Sequence, residues 1–270
     1  MTTEDPESVF KVCLVLLGWI CFINPSLAQS QTPARVNALP SDAELDALVA
    51  ARNWNGLSTA LSQATDGEPF MRKMAWLHSR IASGGPSLLV FKAIADTWRV
   101  GVNVKAPDPT KDFRITAGML TLYTYELILI DGAQCEDQTA PAHRAEQLMK
   151  IGGPALAYLK TQSNEIATHV VDDAIALEKQ TATLRKEDDL LYRDGMAQMK
   201  AGMARGKLHE VTAPSGQKTT KVRAPADWAP AMLPPEKYQP VQDKARAEMK
   251  PALLQLAGIS EGSPQEEPRH

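Results

Sequence analysis

The most apolar stretch outside the N-terminus runs from Phe113 to Asp131 and reads FRITAGMLTLYTYELILID. As an α-helix these residues would span about 28 Å, roughly the diameter of a small domain. Apolar side chains would then lie on nearly every side, which is typical of a helix buried inside a protein. Arg114 and Glu126 interrupt the run, and its uninterrupted part is shorter than the ~20 residues that a bilayer requires. We therefore predict a central buried helix and not a membrane span.

One face of this helix carries small side chains, which would let a neighbouring helix approach closely. These side chains are Ala117, Gly118, Thr121 and Thr124. The opposite face includes Glu126, and an ionised carboxylate among apolar groups must find a cation or hydrogen-bond donors, or become neutral. The positions one turn away hold no Lys or Arg, so its partner must come from another helix. Glu126 is either satisfied structurally or lines a functional pocket.

Amphipathic segments with short connections surround the central run, which is the pattern of antiparallel helical hairpins. The first four predicted helices are 42–52, capped by Ser41 and Glu44; 54–64; one from Pro69 to Gly84; and one that starts at Pro86 and ends before Pro107. The next opens at Pro141 and is broken at Gly152-Gly153-Pro154 into a second segment; the last three are a long helix capped by Ser163, 188–205 and 241–257. In the helix after Pro86, the sequence predicts that Leu88, Phe91, Ala95 and Trp98 face inward and that Asp96 faces out. The predicted fold class is all-α, an irregular bundle around the helix at 113–131.

Residues 207–240 form a Pro-rich arm with little helical pattern. Val and Thr near Pro214-Ser215-Gly216 indicate a small β-hairpin near 209–222. Such a long segment is uncommon unless it covers apolar surface or has a function, and its basic residues leave contact with an anionic surface or ligand open. We expect it to pack back on the bundle, with disorder as the remaining alternative.

The N-terminus has the layout of a secretory signal peptide. A polar start is followed by the apolar run 12–23 and by Ser26-Leu27-Ala28, which suits cleavage after Ala28. The acidic residues before the apolar run are unusual and leave a different start or a retained anchor open. The predicted organisation is a signal peptide at 1–28, a mobile lead-in at 29–40, a single helical domain at 41–258 and a disordered tail at 259–270. We expect a periplasmic or secreted protein with no stable membrane span after cleavage.

The remaining chain is close to neutral and has one cysteine. It keeps 29 of the 32 acidic and 28 of the 29 basic residues, which does not favour nucleic-acid binding. Cys135 can form no intramolecular disulfide, and the acidic residues that follow it raise a thiol's pKa. We expect it to be buried, with an intermolecular bridge or a reactive thiol as alternatives.

Two histidines are weak catalytic candidates together with Glu126. His78 lies on the inward stripe of its helix, and His169 lies near Glu165, Asp172 and Asp173 on the helix after Ser163. A core histidine and a solvated row of ion pairs are the simpler interpretations, and no metal site is predicted.

Tyr192, Met196, Met199 and Met203 recur at spacings of four, three and four. Helical spacing of this kind most simply predicts a core stripe. Flexible methionines also suit an adaptable peptide-binding groove, and thioethers can bind Cu(I). These four residues and Trp228 in the arm are the candidate binding residues.

No phosphate loop, nucleophile elbow, zinc motif or EF-hand loop is present in the sequence, and no cofactor is predicted. The leading hypothesis is a non-catalytic binding module of the cell envelope with a protein or peptide partner. The alternatives are an enzyme that uses Glu126 with His78 or His169, and a methionine-based Cu(I) carrier.

Overall fold

A computed structural model describes residues 39–104, 106, 112–185, 190–212 and 218–259. The predicted signal peptide, the lead-in up to residue 38 and the tail from residue 260 lie outside the described residues. The described chain is mostly helical, which confirms the predicted all-α class. Its elements are α1 (Asp42–Ala50), α2 (Trp54–Gln63), α3 (Gly67–Ala82), α4 (Ser87–Asn103), α5 (Phe113–Gly132), α6 (Thr139–Leu159), α7 (Asn164–Thr181), α8 (Met196–Arg205), β1 (Lys207–Thr212), β2 (Lys218–Arg223) and α9 (Pro235–Leu256).

The chain divides into two compact units between Ser83 and Gly84. The first unit contains α1 to α3, and α1 begins at the predicted capping box of Ser41 and Glu44. Arg80 forms a salt bridge with Asp46 at 2.5 Å between α3 and α1. The predicted single domain at 41–258 stays a prediction.

The second unit is built around α5, as the apolar run predicts. This helix contacts α4, α6, α7 and α9, and its buried residues include Leu120 and Leu127. Its small face meets α6 closely, because a Cβ on Gly152 would lie 2.4 Å from Thr121 Oγ1. Among the described helices, α5 has the length and composition to cross a bilayer, but 67% of its most apolar window is buried in the protein.

The predicted break at Gly152-Gly153-Pro154 is wrong, because α6 runs without interruption from Thr139 to Leu159. Gly152 is buried against α5, whereas Pro154 lies on the exposed side of the helix. A proline removes one backbone hydrogen bond, but on the solvent side water can satisfy the carbonyl that is left free.

The predicted inward face of α4 is also wrong. Ala95 is exposed and Asp96 is buried, whereas the predicted Leu88, Phe91 and Trp98 are half-buried. The residues that α4 buries are Ser87, Leu89, Val90, Ala93, Ile94, Asp96, Thr97 and Gly101. The run from Leu88 to Phe91 is apolar at four consecutive positions, so periodicity alone could not select the correct face.

Two predicted helix starts differ from the structure. Helix α8 begins at Met196 and not at residue 188, after a turn in which Asp194 has a positive φ of 65°. Helix α9 begins at Pro235 and not at residue 241, because proline fits the first turn, where no intrahelical N–H bond is needed. The predicted Pro-rich arm is therefore helical in its last part.

The predicted hairpin is present as two antiparallel strands, which pair from Lys207 with Arg223 to Thr212 with Lys218. Residues 213–217, where the turn was predicted, lie outside the described residues. The following segment packs back on the bundle as expected: the N–H of Glu136 donates to Ala231 O at 2.9 Å, and the N–H of Leu233 donates to Gln134 O at 2.8 Å.

Candidate functional site

The candidate residues of the second unit fall in two places: a buried polar cluster around Glu126 and a surface groove beside α8. Glu126 is 1% exposed, and its Oε1 has no hydrogen-bond partner among the described residues. Burial, reinforced by the nearby carboxylate of Glu178, raises the pKa of Glu126 to about 8, although Arg185 and Lys179 oppose the shift. The carboxyl group of Glu126 is therefore mostly protonated at neutral pH.

Arg185 is the cation of this cluster. Its guanidinium lies 2.8 Å from Asp131 Oδ2 and 2.7 Å from Glu178 Oε1. Burial lowers the pKa of Arg185, but the two carboxylates outweigh burial and raise it overall. A cation from another segment therefore lies near Glu126, as the sequence predicts, but Arg185 donates its hydrogen bonds to Asp131, Glu178 and Thr181, and none to Glu126 is present among the described residues.

Tyr123 and Thr181 extend the cluster along α5 and α7. Arg185 Nη1 donates to Thr181 Oγ1 at 2.9 Å, and the hydroxyl groups of Tyr123 and Thr181 are 3.0 Å apart. Burial raises the pKa of Tyr123 to about 12, so that its hydroxyl keeps its proton.

Helix α9 closes the cluster from the other side. Gln242 donates its amide to Ile130 O at 2.9 Å, and Arg246 lies 3.4 Å from Glu178 Oε1. Lys250 pairs with Asp172 of α7 at 2.6 Å. The cluster is therefore a polar seam between α5, α7 and α9.

Among the described residues, no hydrogen bond or ion pair joins His169 to Glu126. His78 belongs to the first unit, where burial lowers its pKa. The side chain of His169 is 72% exposed and lies 3.6 Å from Asp173, which fits the expected row of ion pairs. No cluster of His, Cys, Asp and Glu suited to a metal ion occurs among the described residues.

Two adjoining cavities lie beside α8. Cavity A, of about 520 Å³, is lined by Cys135, Glu136, Asp137, Thr139, Tyr192, Met196, Ala197, Lys200, Trp228, Pro230 and Ala231. Cavity B, of about 860 Å³, is lined by Gln138, Thr139, Ala142, His143, Glu146, Asp194, Gly195, Met196, Gln198, Met199, Thr220 and Val222. They share Thr139 and Met196, and we call the two together the α8 groove.

The predicted core stripe is wrong for the methionines. Met196, Met199 and Met203 are 45%, 47% and 59% exposed, whereas Tyr192 is buried. The hairpin contacts α8, and its Thr220 and Val222 line cavity B together with Met199, yet all three methionines stay open to solvent in the described part of the chain. Tyr192, Met196 and Trp228 line cavity A, and Met199 lines cavity B, so four of the five candidate binding residues converge on the groove.

Asp137 holds α8 in place against the start of α6. Its carboxylate accepts the backbone N–H of Thr139 at 3.1 Å and that of Ala197 at 2.6 Å, so it caps both helices. Thr139 Oγ1 accepts the N–H of Met196 at 2.7 Å. Burial raises the pKa of Asp137, but hydrogen bonds from the Thr139 hydroxyl and from the N–H groups of Ala197 and Thr139, together with Lys200, lower it overall, so the cap is ionised. The sequence analysis missed this cap, although an Asp whose side chain accepts the N–H two residues further on is a common feature of turns.

Cys135 forms part of the wall of cavity A but is not an activated thiol. It is fully buried, and its Sγ lies 3.4 Å from Asp137 O. Burial raises its pKa, and the carboxylates of Asp137 and Glu136 act in the same direction. Burial of this thiol agrees with the sequence prediction.

A third cavity, cavity C, of about 710 Å³, is lined by Tyr125, Ala142, Ala145, Glu146, Met149, Lys150 and Leu256. Glu126 lines none of the three cavities. The fold and the groove thus define an all-α protein with an exposed methionine face beside an aromatic-walled cavity. Comparisons with protein-family models, curated proteins and solved structures found no match for this chain.

Proposed function

We propose that this chain is an exported binding module that holds a polypeptide segment in the α8 groove. The observation that carries the proposal is the exposure of Met196, Met199 and Met203 on one face of α8, next to two cavities. Single exposed apolar residues are common on protein surfaces, but a row of them beside a concave site is typical of interaction surfaces.

Methionine suits this function because its side chain is unbranched and its thioether is polarizable. Such a surface can adapt to partners of different shape. The three positions span seven residues, or about 10 Å along the helix axis, which is two turns of a bound helix or three residues of an extended strand.

Export is part of the same proposal, and its support is the pattern of residues 1–28. Sequencing the N-terminus of the protein purified from its own cells tests it. A mature chain that begins at Gln29 is expected, and a chain that keeps residues 1–28 in the cytosol would contradict export.

Site-specific photo-crosslinking tests the binding function. A benzophenone amino acid replaces Met199 in the groove, and the same residue replaces Leu184, which is 50% exposed outside it, as a matched control. We expect a discrete adduct with a polypeptide from the cell envelope at position 199 and none at position 184. Equal labelling at both positions, or none at 199, would contradict a binding groove.

The exposed thioethers also favour one second candidate, a Cu(I) carrier. Titration with Cu(I) under reducing conditions separates the two. Saturable binding that is lost when all three methionines become leucine would favour the carrier, because leucine keeps the apolar surface and removes only the sulfur ligands.

The enzyme hypothesis has a buried carboxyl group with a raised pKa in its favour. Against it, Glu126 reaches none of the three cavities, and His169 is exposed. The binding module is therefore the better-supported proposal.

A further inference from the structure

The chemistry of the α8 groove restricts what the bound segment can be. In cavity A the buried polar groups, the Tyr192 hydroxyl and the Cys135 thiol, already have hydrogen-bond partners. The Tyr192 hydroxyl donates to Asp131 O at 3.3 Å, and Cys135 Sγ contacts Asp137 O. The remaining wall is largely aromatic and aliphatic, from Met196, Trp228 and Pro230. A polar ligand would find few free hydrogen-bonding groups here, whereas a large apolar side chain would replace water against apolar surface.

The charged groups of the groove are mostly acidic. Among its described lining residues, the carboxylates are Glu136, Asp137, Glu146 and Asp194, and the permanent cation is Lys200. Asp137 is committed to the two helix caps, and Asp194 pairs with Arg144 at 2.6 Å.

The carboxylates of Glu136 and Glu146 remain at the rim. Both residues are exposed, and no described side chain donates a hydrogen bond to either of them. Glu146 lies 3.9 Å from His143 Nδ1, and Lys150, one turn along α6, shares the lining of cavity C with it. Glu136 belongs to cavity A and Glu146 to cavity B, so each part of the groove has one free negative charge.

From these observations we infer that the partner is a cationic amphipathic segment of another polypeptide. It places an aromatic or large aliphatic side chain in cavity A, lays further apolar side chains on Met199 and Met203, and pairs Lys or Arg with Glu136 and Glu146. This inference rests on the proposed function and adds the chemical class of the partner. Such pairs at a rim mainly set the choice of partner and the rate of association, whereas reversal of both rim charges places like charges together and also lowers the affinity.

Peptide probes of defined charge test the inference with the full-length protein. The first is a fluorescein-labelled peptide that carries one central Trp among Leu and Lys residues; the second has every Lys replaced by Glu. Fluorescence anisotropy is expected to show saturable binding of the first peptide, weakening as ionic strength rises, and binding of the second that is at least roughly tenfold weaker.

Charge reversal provides a second arm. The double variant E136K/E146K is expected to lose at least roughly tenfold in affinity for the cationic peptide and to gain affinity for the anionic one. E165K, an exposed change on α7 outside the groove, is the matched control and should change neither. The substituted residues are exposed, so both variants are expected to fold. A gain of affinity for the anionic peptide also cannot result from misfolding, because a misfolded protein would lose the groove.

Filling cavity A provides a third arm. Ala197 is exposed and lines the cavity, so A197W occupies the anchor position without disturbing the core. This variant should bind neither peptide, with an unchanged circular dichroism spectrum. Cationic-peptide binding that survives in A197W, or equal affinity of wild type for both peptides, would overturn the inference.

The remaining outcomes separate this inference from the proposed function. If neither peptide binds while the probe at position 199 still gives a discrete adduct, the assigned chemistry is wrong and the binding function stands. If the adduct is also missing, both fail. A concentration-dependent dimer that A197W abolishes would make a second copy of this chain the occupant, and would likewise overturn the inference.

Discussion

At the scale of single residues, Glu126 makes stability depend on pH. Its pKa is raised from 4.5 to about 8 in the folded protein, so between these values the folded state keeps a proton that the unfolded state releases. The stabilisation that this proton gives the folded state is fully present below about pH 4.5 and is lost as the pH rises through about 8. Its loss lowers the unfolding free energy by roughly 3–5 kcal/mol. Urea unfolding between pH 5 and 9 is expected to show this decline.

The variant E126Q removes the titrating group while keeping its shape. Its unfolding free energy should vary less over the same pH range, whereas E165Q, an exposed control, should retain the wild-type decline. Parallel curves for wild type and E126Q would show that Glu126 does not titrate in this range.

Arg185 is the residue on which the buried cluster depends for charge balance. R185M removes the cation that Asp131 and Glu178 share and leaves the buried Glu178 with Arg246 alone, 3.4 Å away, so we expect the unfolding free energy to fall by roughly 3–5 kcal/mol. R205M removes an exposed pair with Asp227 and should cost less than about 1 kcal/mol. Chemical denaturation measures both, and equal losses would contradict the assigned role of Arg185.

At the scale of elements, two neighbouring glycines of α6 differ in what surrounds them. A Cβ on Gly152 would lie 2.4 Å from the buried Thr121 side chain, whereas a Cβ on Gly153 would meet nothing within 4 Å. G152A should therefore destabilise the protein by roughly 1–3 kcal/mol through overpacking. G153A should stabilise it by about 0.5–1 kcal/mol through helix propensity. Thermal unfolding distinguishes them, and a stabilising G152A would show that α5 and α6 are not in close contact.

The elements that the sequence predicts well are those whose evidence is local. The run 113–131 is apolar on all sides, and the caps at Ser41 and Ser163 lie where the helices begin. The predicted break in α6 rests on the low helix propensity of Gly152, Gly153 and Pro154. The helix continues because Gly152 packs against Thr121 and Pro154 lies on the exposed side.

The candidate site was predictable only in part. A carboxylate inside an apolar run marks Glu126 as unusual, but Arg185 lies far along the chain, and such a distant pair leaves no local pattern. Periodicity places the three methionines on one face of α8, yet it does not say whether another helix covers that face. Exposure depends on the whole arrangement of α6, α8 and the hairpin.

At the scale of the whole molecule, the four helices that pack most extensively on α5 lie with it in the second unit. Helices α4, α6, α7 and α9 all belong to residues 84–270. We expect a fragment that spans residues 84–259 to fold by itself, with a helical circular dichroism spectrum and one cooperative thermal transition. A gradual transition, or exchange of the α5 amides within seconds, would contradict this division of the chain.

The uncovered thioethers of α8 expose this surface to oxidants. Conversion of Met196, Met199 and Met203 to sulfoxides would make this apolar helix face polar. Met74 and Met249 are buried and therefore protected. We expect peroxide to oxidise these three methionines before Met74 and Met249 and to weaken the binding proposed for the groove without unfolding the chain, and a sulfoxide reductase to reverse both changes.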